Sequence, residues 1–269
     1  MTSEAFEYSG KTVVVAGGGG SGMGAAAASL LVEQGADVIV LDLRESVAGT
    51  RFLHTDLSSS LAIAEAAKQI GPQVDALFNC QGISGSAPGT KPSTVMAVNF
   101  LGVRELTELL LPSIPRDGAV VSISSAGGLS WARRGAELMP LLATASMDEG
   151  LAWCEGDGVD LVGPAFPDSY ATSKQAVIMW TMQRAATTIR QGVRMNAISP
   201  GSTATAMTSD FPAAGVDFMN YPSGRSSEPV EQAWPMLFLN SPLASYINGV
   251  NVPVDGGNYS ARTMDKLAP

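Results

Sequence analysis

The sequence predicts an α/β protein, a doubly wound fold on a parallel sheet of seven strands. Three observations carry that expectation. Seven short apolar runs alternate with stretches of helical character along the 269 residues. The first run leads directly into Gly17-Gly18-Gly19-Gly20-Ser21-Gly22-Met23-Gly24 and then into an alanine-rich stretch. The second run ends in Asp42, about 20 residues beyond those glycines.

Residues 11–16, Lys-Thr-Val-Val-Val-Ala, read as a buried strand. Strand, glycine turn and a helix reaching about Gln34 together present backbone N–H groups and a helix N-terminus to a pyrophosphate. The glycines allow two registers: Gly17, Gly19 and Gly22 fit G-x-G-x-x-G, and Gly18, Gly22 and Gly24 fit G-x-x-x-G-x-G. Gly35 caps the helix, residues 37–41 form the second strand, and Asp42 ends it where a carboxylate accepts hydrogen bonds from an adenosine ribose. The third strand, Arg51–His54, follows too soon for a crossover helix, so the connection is a loop or a single turn. Asp56 and Leu57 lead into a helix over residues 58–70. Asp56 reads either as part of that helix's cap or as an acceptor for an adenine amino group.

Residues 74–78 form the fourth strand, and Asn79-Cys80-Gln81-Gly82 stand at its carboxyl end, where ligands bind in open α/β sheets. Residues 91–111 read as one helix, with apolar spacing at Val95, Val98, Leu101, Leu106 and Leu109. Asn99 falls in its middle against propensity, either as a buried hydrogen-bonded spacer or as the holder of a water near a lysine. Ala119–Ile123 is a strand ending at Ser124-Ser125. Residues 128–168 are the least regular part. Two helices fit there, over 131–144 and 147–154, before Gly156, Gly158, Gly163, Pro164 and Pro167 break the pattern. The segment is too apolar for a linker and is expected to pack as a substrate lid or a subunit interface. Residues 193–198 are a strand that turns at Ser199-Pro200-Gly201; residues 211–225 read as loop, 229–239 as helix and 250–254 as the last strand. No repeat or low-complexity tract divides the chain, so residues 1–269 are expected to form one domain.

A hydrophobic content of 45% with 15% charged residues indicates a globular chain. A net charge of −9 argues against nucleic acid or an anionic membrane as the main partner. The acidic N-terminus lacks the apolar core of a signal peptide, and no apolar run is long enough to cross a bilayer. Cys80 and Cys154 are the only cysteines, which suits a reducing, cytoplasmic setting, where the Asn258-Tyr259-Ser260 sequon has no meaning. His54 is the only histidine, which excludes a His-rich metal site and leaves a Ser-His-Asp triad without support; no metal is expected.

Acid–base chemistry therefore falls to another residue type. Tyr170-Ala171-Thr172-Ser173-Lys174 places a phenol and an ammonium one helical turn apart on the same face. Pro167, Asp168 and Ser169 supply start signals for that helix, and Ala176, Val177, Ile178, Trp180 and Met182 continue it. An ammonium beside a phenol lowers its pKa from ~10, and a phenol tuned toward neutral pH exchanges protons with an alcohol or a ketone.

Taken together, these residues resemble the short-chain dehydrogenase/reductase family along nearly the whole chain. Gly18-x-x-x-Gly22-x-Gly24 matches its glycine motif, and Asn79-Cys80-Gln81-Gly82 matches its Asn-Asn-Ala-Gly motif imperfectly. Asn99, Ser125, Tyr170 and Lys174 stand at the positions of its catalytic tetrad. Pro200-Gly201 and Thr205 match the segment that meets the nicotinamide, and Asp255-Gly256-Gly257 matches its C-terminal motif. The chain departs from the pattern in three places. Gly17 replaces a threonine that braces the turn, Cys80-Gln81 replaces Asn-Ala, and an insertion at about 128–168 separates Ser125 from Tyr170. The short second connection and the insertion resemble the branch containing bacterial 3α-hydroxysteroid dehydrogenase/carbonyl reductase.

The resemblance implies a single NAD(P)-binding Rossmann-like domain that interconverts a secondary alcohol and a ketone, on a cyclic, steroid-like or aromatic substrate. It assigns Tyr170 as general acid/base, Lys174 as the group that tunes it and holds the nicotinamide ribose, Ser125 as the partner of the substrate oxygen, and Asn99 as the holder of a proton-carrying water. It places Gly18, Ser21, Gly22, Met23, Gly24, Asp42, Asp56, Leu57, Asn79, Gln81, Gly82, Pro200, Gly201, Thr203 and Thr205 with Tyr170 and Lys174 around the cofactor. Asp42 favours NAD over NADP because it repels a 2′-phosphate, while Arg44 points the other way. Pocket walls are expected from residues 83–89, the insertion and residues 202–221. A homo-oligomer, dimer or tetramer, is expected through the long helices around Asn99 and Tyr170. The alternatives are a catalytically silent nucleotide-binding regulator on the same fold, an NADP-dependent carbonyl reductase, and a dehydratase or epimerase that uses the cofactor transiently.

Overall fold

The computed structural model describes residues 6–267 apart from 165 and 212, with the backbone alone at 213, 214 and 216. Strands β1 (Thr12–Ala16), β2 (Asp37–Asp42) and β3 (Arg51–His54) step outward to one side. The chain then crosses back, and β4 (Ala76–Asn79), β5 (Ala119–Ile123), β6 (Arg194–Pro200) and β7 (Asn251–Val254) build the other side. The sheet order is β3-β2-β1-β4-β5-β6-β7, and every pairing is parallel. The order reverses between β1 and β4, which opens a crevice beyond their carboxyl ends.

Successive side chains of a strand face opposite layers, and the valines of β1 use both. Val14 and Ala16 join Ile39 and Leu41 in one core, whereas Val13 and Val15 join Val38 and Val40 in the other. Helix α1 (Met23–Glu33) lies on the second face, with Ala27, Ala28 and Leu31 inward. Helix α2 (Ser60–Ile70) covers the first face through Ile63, Ala66 and Ile70. Its cap is Ser59, whose hydroxyl accepts from the Ala62 N–H, so the helix starts two residues later than the sequence suggested. The connection from β2 to β3 contains no helix, as its length implied.

The expected helix over 91–111 is interrupted. Helix α3 (Pro92–Met96) runs into a π-helical turn, Ala97–Leu101, before α4 (Gly102–Leu110) resumes the α form. Asn99 sits in that turn, fully buried. Its Oδ1 accepts from the Ile83 N–H at 2.8 Å, and its Nδ2 donates to the Ile83 carbonyl at 2.9 Å and the Ser173 hydroxyl at 3.1 Å. Three side-chain bonds of this kind explain how a polar residue is accommodated at a helix bulge.

Between β5 and α8 (Asp168–Thr188) the insertion forms three helices rather than two: α5 (Gly135–Ala143), α6 (Met147–Glu155) and α7 (Val159–Val162). Leu138, Leu141, Met147 and Val162 are buried in the same core as Met96, Phe100 and Val177. Burial of each such side chain contributes about 1.5–3 kcal/mol. Polar side chains stitch the segment down. Arg104 of α4, 6% exposed, donates to the Leu141 carbonyl, the Thr144 hydroxyl and the Ser146 carbonyl. Arg134 donates to the Thr172 hydroxyl and the Leu161 carbonyl, and Gln175 donates to the Ser130 hydroxyl.

Two further helices depart from expectation. Residues 211–225 are not all loop, because α9 (Ala213–Asn220) forms within them. After α10 (Pro229–Asn240) and β7, the chain ends in α11 (Asn258–Asp265), which the apolar pattern did not reveal. Asn258 holds α11 to α9 by donating to the Phe218 and Tyr221 carbonyls.

Candidate active site

The crevice begins at the glycine turn. Gly17 has φ of +80°, and a Cβ on Gly24 would strike the Gly17 carbonyl and lie 2.9 Å from the Cys80 Cβ, so α1 can approach the sheet only there without a side chain. A Cβ on Gly22 would meet nothing within 4 Å. Helix α1 opens just after Gly22 with no side-chain cap, leaving its first N–H groups to the crevice. Gly22, which belongs to both registers, lies open, and Gly17, Gly19 and Gly24 are each closed to a side chain by nearby backbone. Ser21 and Met23 flank Gly22, and Met23 lines the adjoining cavity.

Asp42 braces this turn. Its Oδ2 accepts from the Gly19 N–H at 2.8 Å and its Oδ1 from the Arg44 N–H at 2.9 Å. The Ser46 hydroxyl donates to the Gly18 carbonyl at 3.0 Å. These bonds do for the turn what a threonine at 17 would do. The Arg44 guanidinium lies beside Gly20, where a Cβ would be 3.4 Å from it. At the next strand end, Asp56 accepts from the N–H and hydroxyl of Ser58, and Leu57 is buried in the core. Asp56 is thus part of the turn into α2, which leaves its second oxygen without an assigned partner among the described residues.

Asn79 lies behind the crevice, donating to Thr107 and Ser122. Gln81 is 4% exposed, and neither end of its amide finds a partner among the described residues. A buried amide left unpaired costs about 1–3 kcal/mol, so this edge of the crevice suits a polar ligand. Uncapped helix, open cradle and unpaired amide together fit a dinucleotide.

A cavity of about 200 Å³ adjoins the cradle. It brings together Ser125, Tyr170 and Lys174 with Gln81 and Gly82 on one side, and Pro200, Gly201, Thr203 and Thr205 on the other. Asn99 does not line it, yet stays close. A Cβ on Gly82 would be 3.4 Å from Lys174 Nζ and 3.5 Å from Asn99 Oδ1. Lys174 Nζ donates to the Ile123 carbonyl at 3.0 Å and lies 5.9 Å from the Tyr170 ring centre. The Ser124 hydroxyl donates to the Lys174 carbonyl, which fixes that turn of α8 and gives Ser124 a structural bond.

Burial governs how these groups titrate. It lowers the Lys174 ammonium to about 8, opposed slightly by Cys80. It raises the Tyr170 phenol above its ordinary value, while hydrogen bonding with Ser125 pulls it down. Burial is the larger of the two influences on the phenol, and Ser125 is the group that opposes it.

The sequence located the walls only in part. Met207, Phe211 and Met219 come from the expected 202–221 segment, and Pro167 from the end of the insertion. Residues 83–89 do not line the cavity. Instead the Ser84 hydroxyl donates to Asp210 Oδ2 at 2.6 Å and ties that loop to the 202–221 segment. The body of the insertion lies against α3, the π-helical turn and α8 rather than over the cavity. Among the described residues no group of three or more His, Cys, Asp and Glu side chains is placed to hold a metal, and no helix is long and apolar enough to cross a membrane.

Known proteins share this arrangement. A family model described as short chain dehydrogenase matches residues 11–136, and one described as enoyl-(acyl carrier protein) reductase matches residues 157–258. Coniferyl-alcohol dehydrogenase of Pseudomonas sp. (strain HR199 / DSM 7063) is 34% identical over 85% of this chain and 89% of its own. The 3-alpha-hydroxysteroid dehydrogenase/carbonyl reductase of Comamonas testosteroni is 31% identical over the same shares, 85% and 89%. Among solved structures, the 3-alpha-hydroxysteroid dehydrogenase of Pseudomonas sp. B-0831 complexed with NADH superposes with a TM-score of 0.76 at 27% identity, covering 95% of this chain and 99% of that one.

Proposed function

The chain belongs to the short-chain dehydrogenase/reductase family, an oxidoreductase of alcohols and carbonyls, and from that premise we propose that it is an NAD-dependent dehydrogenase of a neutral cyclic or aromatic alcohol, or a reductase of the matching ketone. The observation that carries this reading is the meeting of Ser125, Tyr170 and Lys174 in one cavity beside the open cradle at Gly22. A bound nicotinamide cofactor supplies hydride transfer. The chain's own residues do the rest, as one domain.

Tyr170 takes the proton of the alcohol hydroxyl, or returns one to the carbonyl oxygen. Ser125 donates to that same oxygen and stabilises the charge that grows on it. Lys174 holds the nicotinamide ribose. Asn99, whose Oδ1 lies with Lys174 Nζ beside Gly82, is the proposed holder of a water that carries the proton onward; the nearness of the two groups supports this role. Gly18, Ser21, Gly22, Met23 and Gly24 receive the pyrophosphate side, Asp56 and Leu57 the adenine side, and Thr203 and Thr205 the nicotinamide side. Asn79 acts from behind, by fixing the end of β4.

Asp42 supports NAD, because its carboxylate stands at the end of β2 and repels a 2′-phosphate. Arg44 beside Gly20 is the feature that favours NADP. Among the described residues Lys174, assigned to the nicotinamide ribose, is the only charged side chain lining the cavity, which supports a neutral substrate. For the proposed homo-oligomer, the insertion packs on the N-terminal half of α8, while Leu109 and the Arg184–Glu108 pair keep the far end of α4 and α8 at the surface. The test is absorbance at the NADH band with neutral cyclic and aromatic alcohols. Tyr170→Phe is expected to lose at least ~100-fold in kcat, and NADPH to serve worse than NADH. Full turnover by Tyr170→Phe refutes the mechanism.

A further inference from the structure

A closed circuit of contacts runs from the backbone of Tyr170 to its own ring. The Ser173 hydroxyl donates to the Tyr170 carbonyl at 2.7 Å and accepts from Asn99 Nδ2 at 3.1 Å. Asn99 in turn grips Ile83 through both its N–H and its carbonyl. The next residue, Ser84, is 5% exposed, and its hydroxyl donates to Asp210 Oδ2 at 2.6 Å. Phe211 follows Asp210, and its ring stands 5.7 Å from the Tyr170 ring at 75°, an edge contact of the kind aromatic quadrupoles favour.

The link between Ser84 and Asp210 is the weak point of this circuit. Among the described residues it is the one hydrogen bond that joins residues 83–89 to residues 206–211. Both partners are committed to it. Ser84 Oγ accepts from the Ser86 N–H at 3.2 Å and lies 3.0 Å from the Ser86 hydroxyl, which leaves its proton for the carboxylate. Among the described residues Asp210 pairs with no Lys or Arg, and Ser84 is its only side-chain partner. A hydroxyl donating to a carboxylate makes one of the stronger hydrogen bonds. The short 3₁₀ turn before Phe211 (Ala206–Asp210) is tied at its other end by Thr208, whose hydroxyl donates to the Thr203 carbonyl and lies 3.3 Å from the Thr205 hydroxyl. The turn is thus a strap held at both ends, from the Thr203 side of the crevice to the loop beyond Gly82.

We propose that Ser84 and Asp210 are positioning residues, whose bond latches this strap and holds the Phe211 ring on Tyr170 so that water is kept from the phenol. The importance of the latch for turnover rests on the reading of Tyr170 as the proton-transfer residue. Neither latch residue lines the cavity, whereas Phe211 does, so both act through Phe211. With the bond broken, the ring is free to leave the phenol, and the loss of burial brings the phenol's titration down toward its ordinary value. The charged or titratable groups around the phenol are Lys174 on α8, Cys80 on the loop after β4 and Asp210 on the strap; the turn at 126–128 carries none. Asp168, at the start of α8, lies against Gly163 instead. Ser84→Ala removes the latch and leaves every one of these groups in place.

The test compares the wild type with Ser84→Ala, Asp210→Ala and the double variant. Hydrogen exchange reads the strap. Phenolate absorbance from pH 7 to 11, taken as the difference between each protein and its Tyr170→Phe counterpart, reads the phenol without turnover. Exchange at residues 206–211 is expected to be faster by roughly 10-fold or more in each single variant, as loss of a hydrogen bond to a charged group implies, and no faster in the double variant than in the singles. In Ser84→Ala the phenol is expected to titrate lower by roughly 0.5 pH unit or more, and the rising limb of kcat/KM for alcohol oxidation to move down with it. Unchanged exchange in both single variants, or additive effects in the double variant, overturns the latch. Faster exchange with an unmoved phenol overturns the hold on Tyr170 and the proposal with it. A lowered phenol in a protein that turns over no alcohol upholds the latch and refutes the dehydrogenase reading.

Discussion

Gly17 and Gln81 occupy each other's space. A Cβ on Gly17 would be driven into the Gln81 backbone nitrogen, 2.6 Å from the Cys80 carbonyl carbon, and Gly17 already holds φ at +80°. The backbone of the loop at 80–81, not its side chains, fills the space that a side chain at 17 would need. A threonine at 17 is incompatible with this course of the loop after β4, and Asp42 with Ser46 braces the turn in its place. Restoring the family residue by Gly17→Thr is expected to destabilise the protein by about 3 kcal/mol, from left-handed strain and overpacking combined. Thermal unfolding should show a Tm lower by roughly 6–12 °C.

The pH profile of alcohol oxidation should rise into the alkaline range. Oxidation requires the phenolate of Tyr170, and burial holds that phenol above its ordinary value. Rate should climb with pH while the phenol remains mostly protonated, and ketone reduction should decline over the same range. Ser125 pulls the phenol down, so Ser125→Ala should move the rising limb to higher pH as well as slow the reaction. A limb that stays in place would assign the tuning to another group. Steady-state kcat/KM from pH 6 to 11 checks this.

Lys174 is expected to cost stability at neutral pH. Its folded pKa, about 8, lies below the ordinary lysine value of 10.5. Below pH 8 both states are protonated and the fold bears the full cost of burying the charge. Between 8 and 10.5 the unfolded chain binds the extra proton, so stability rises with pH. Lys174→Met should be more stable than the wild type at pH 7, by up to roughly 3 kcal/mol less the lost bond to the Ile123 carbonyl. The difference should shrink toward pH 10.5. Urea denaturation of both proteins across that range measures it.

Arg104 anchors the insertion without a carboxylate partner among the described residues. Its three acceptors all belong to residues 141–146, and burial lowers its pKa. Arg104→Leu should cost about 2–4 kcal/mol by leaving buried acceptors unpaired. Hydrogen exchange should show α5 and α6 losing protection while the sheet amides keep theirs.

Strands were legible where apolar runs are bounded by polar or glycine punctuation; Arg51–His54 and Ala119–Ile123 lie where the sequence placed them. The helix over 91–111 was legible as helix but not as interrupted, because the apolar spacing persists through the bulge and the cause is a bond from Asn99 to Ile83. Helices α9 and α11 were hidden for a related reason. Neither displays a strong apolar stripe, and their mutual support comes from Asn258 and from Arg262, whose guanidinium lies 3.5 Å from the centre of the Phe218 ring. Asn99, Ser125, Tyr170 and Lys174 stood out as candidates because together they match the catalytic tetrad of the family the chain resembles; the Tyr–Lys spacing alone is common in helices. The direction of the Tyr170 shift was not legible. It depends on burial by segments remote in sequence, with Phe211 lining the cavity and Phe166 packed against Tyr170.

The three-helix insertion has a consequence in mass action. It covers α3, the π-helical turn and the N-terminal half of α8 from within the same chain, through the grip of Arg104, Arg134 and Gln175. A cover supplied by another molecule is half lost when the protein falls to its dissociation constant. A cover supplied by a tether works at a fixed effective concentration, in the millimolar range for short connections. Dilution therefore leaves this face as protected in a nanomolar sample as in a concentrated one.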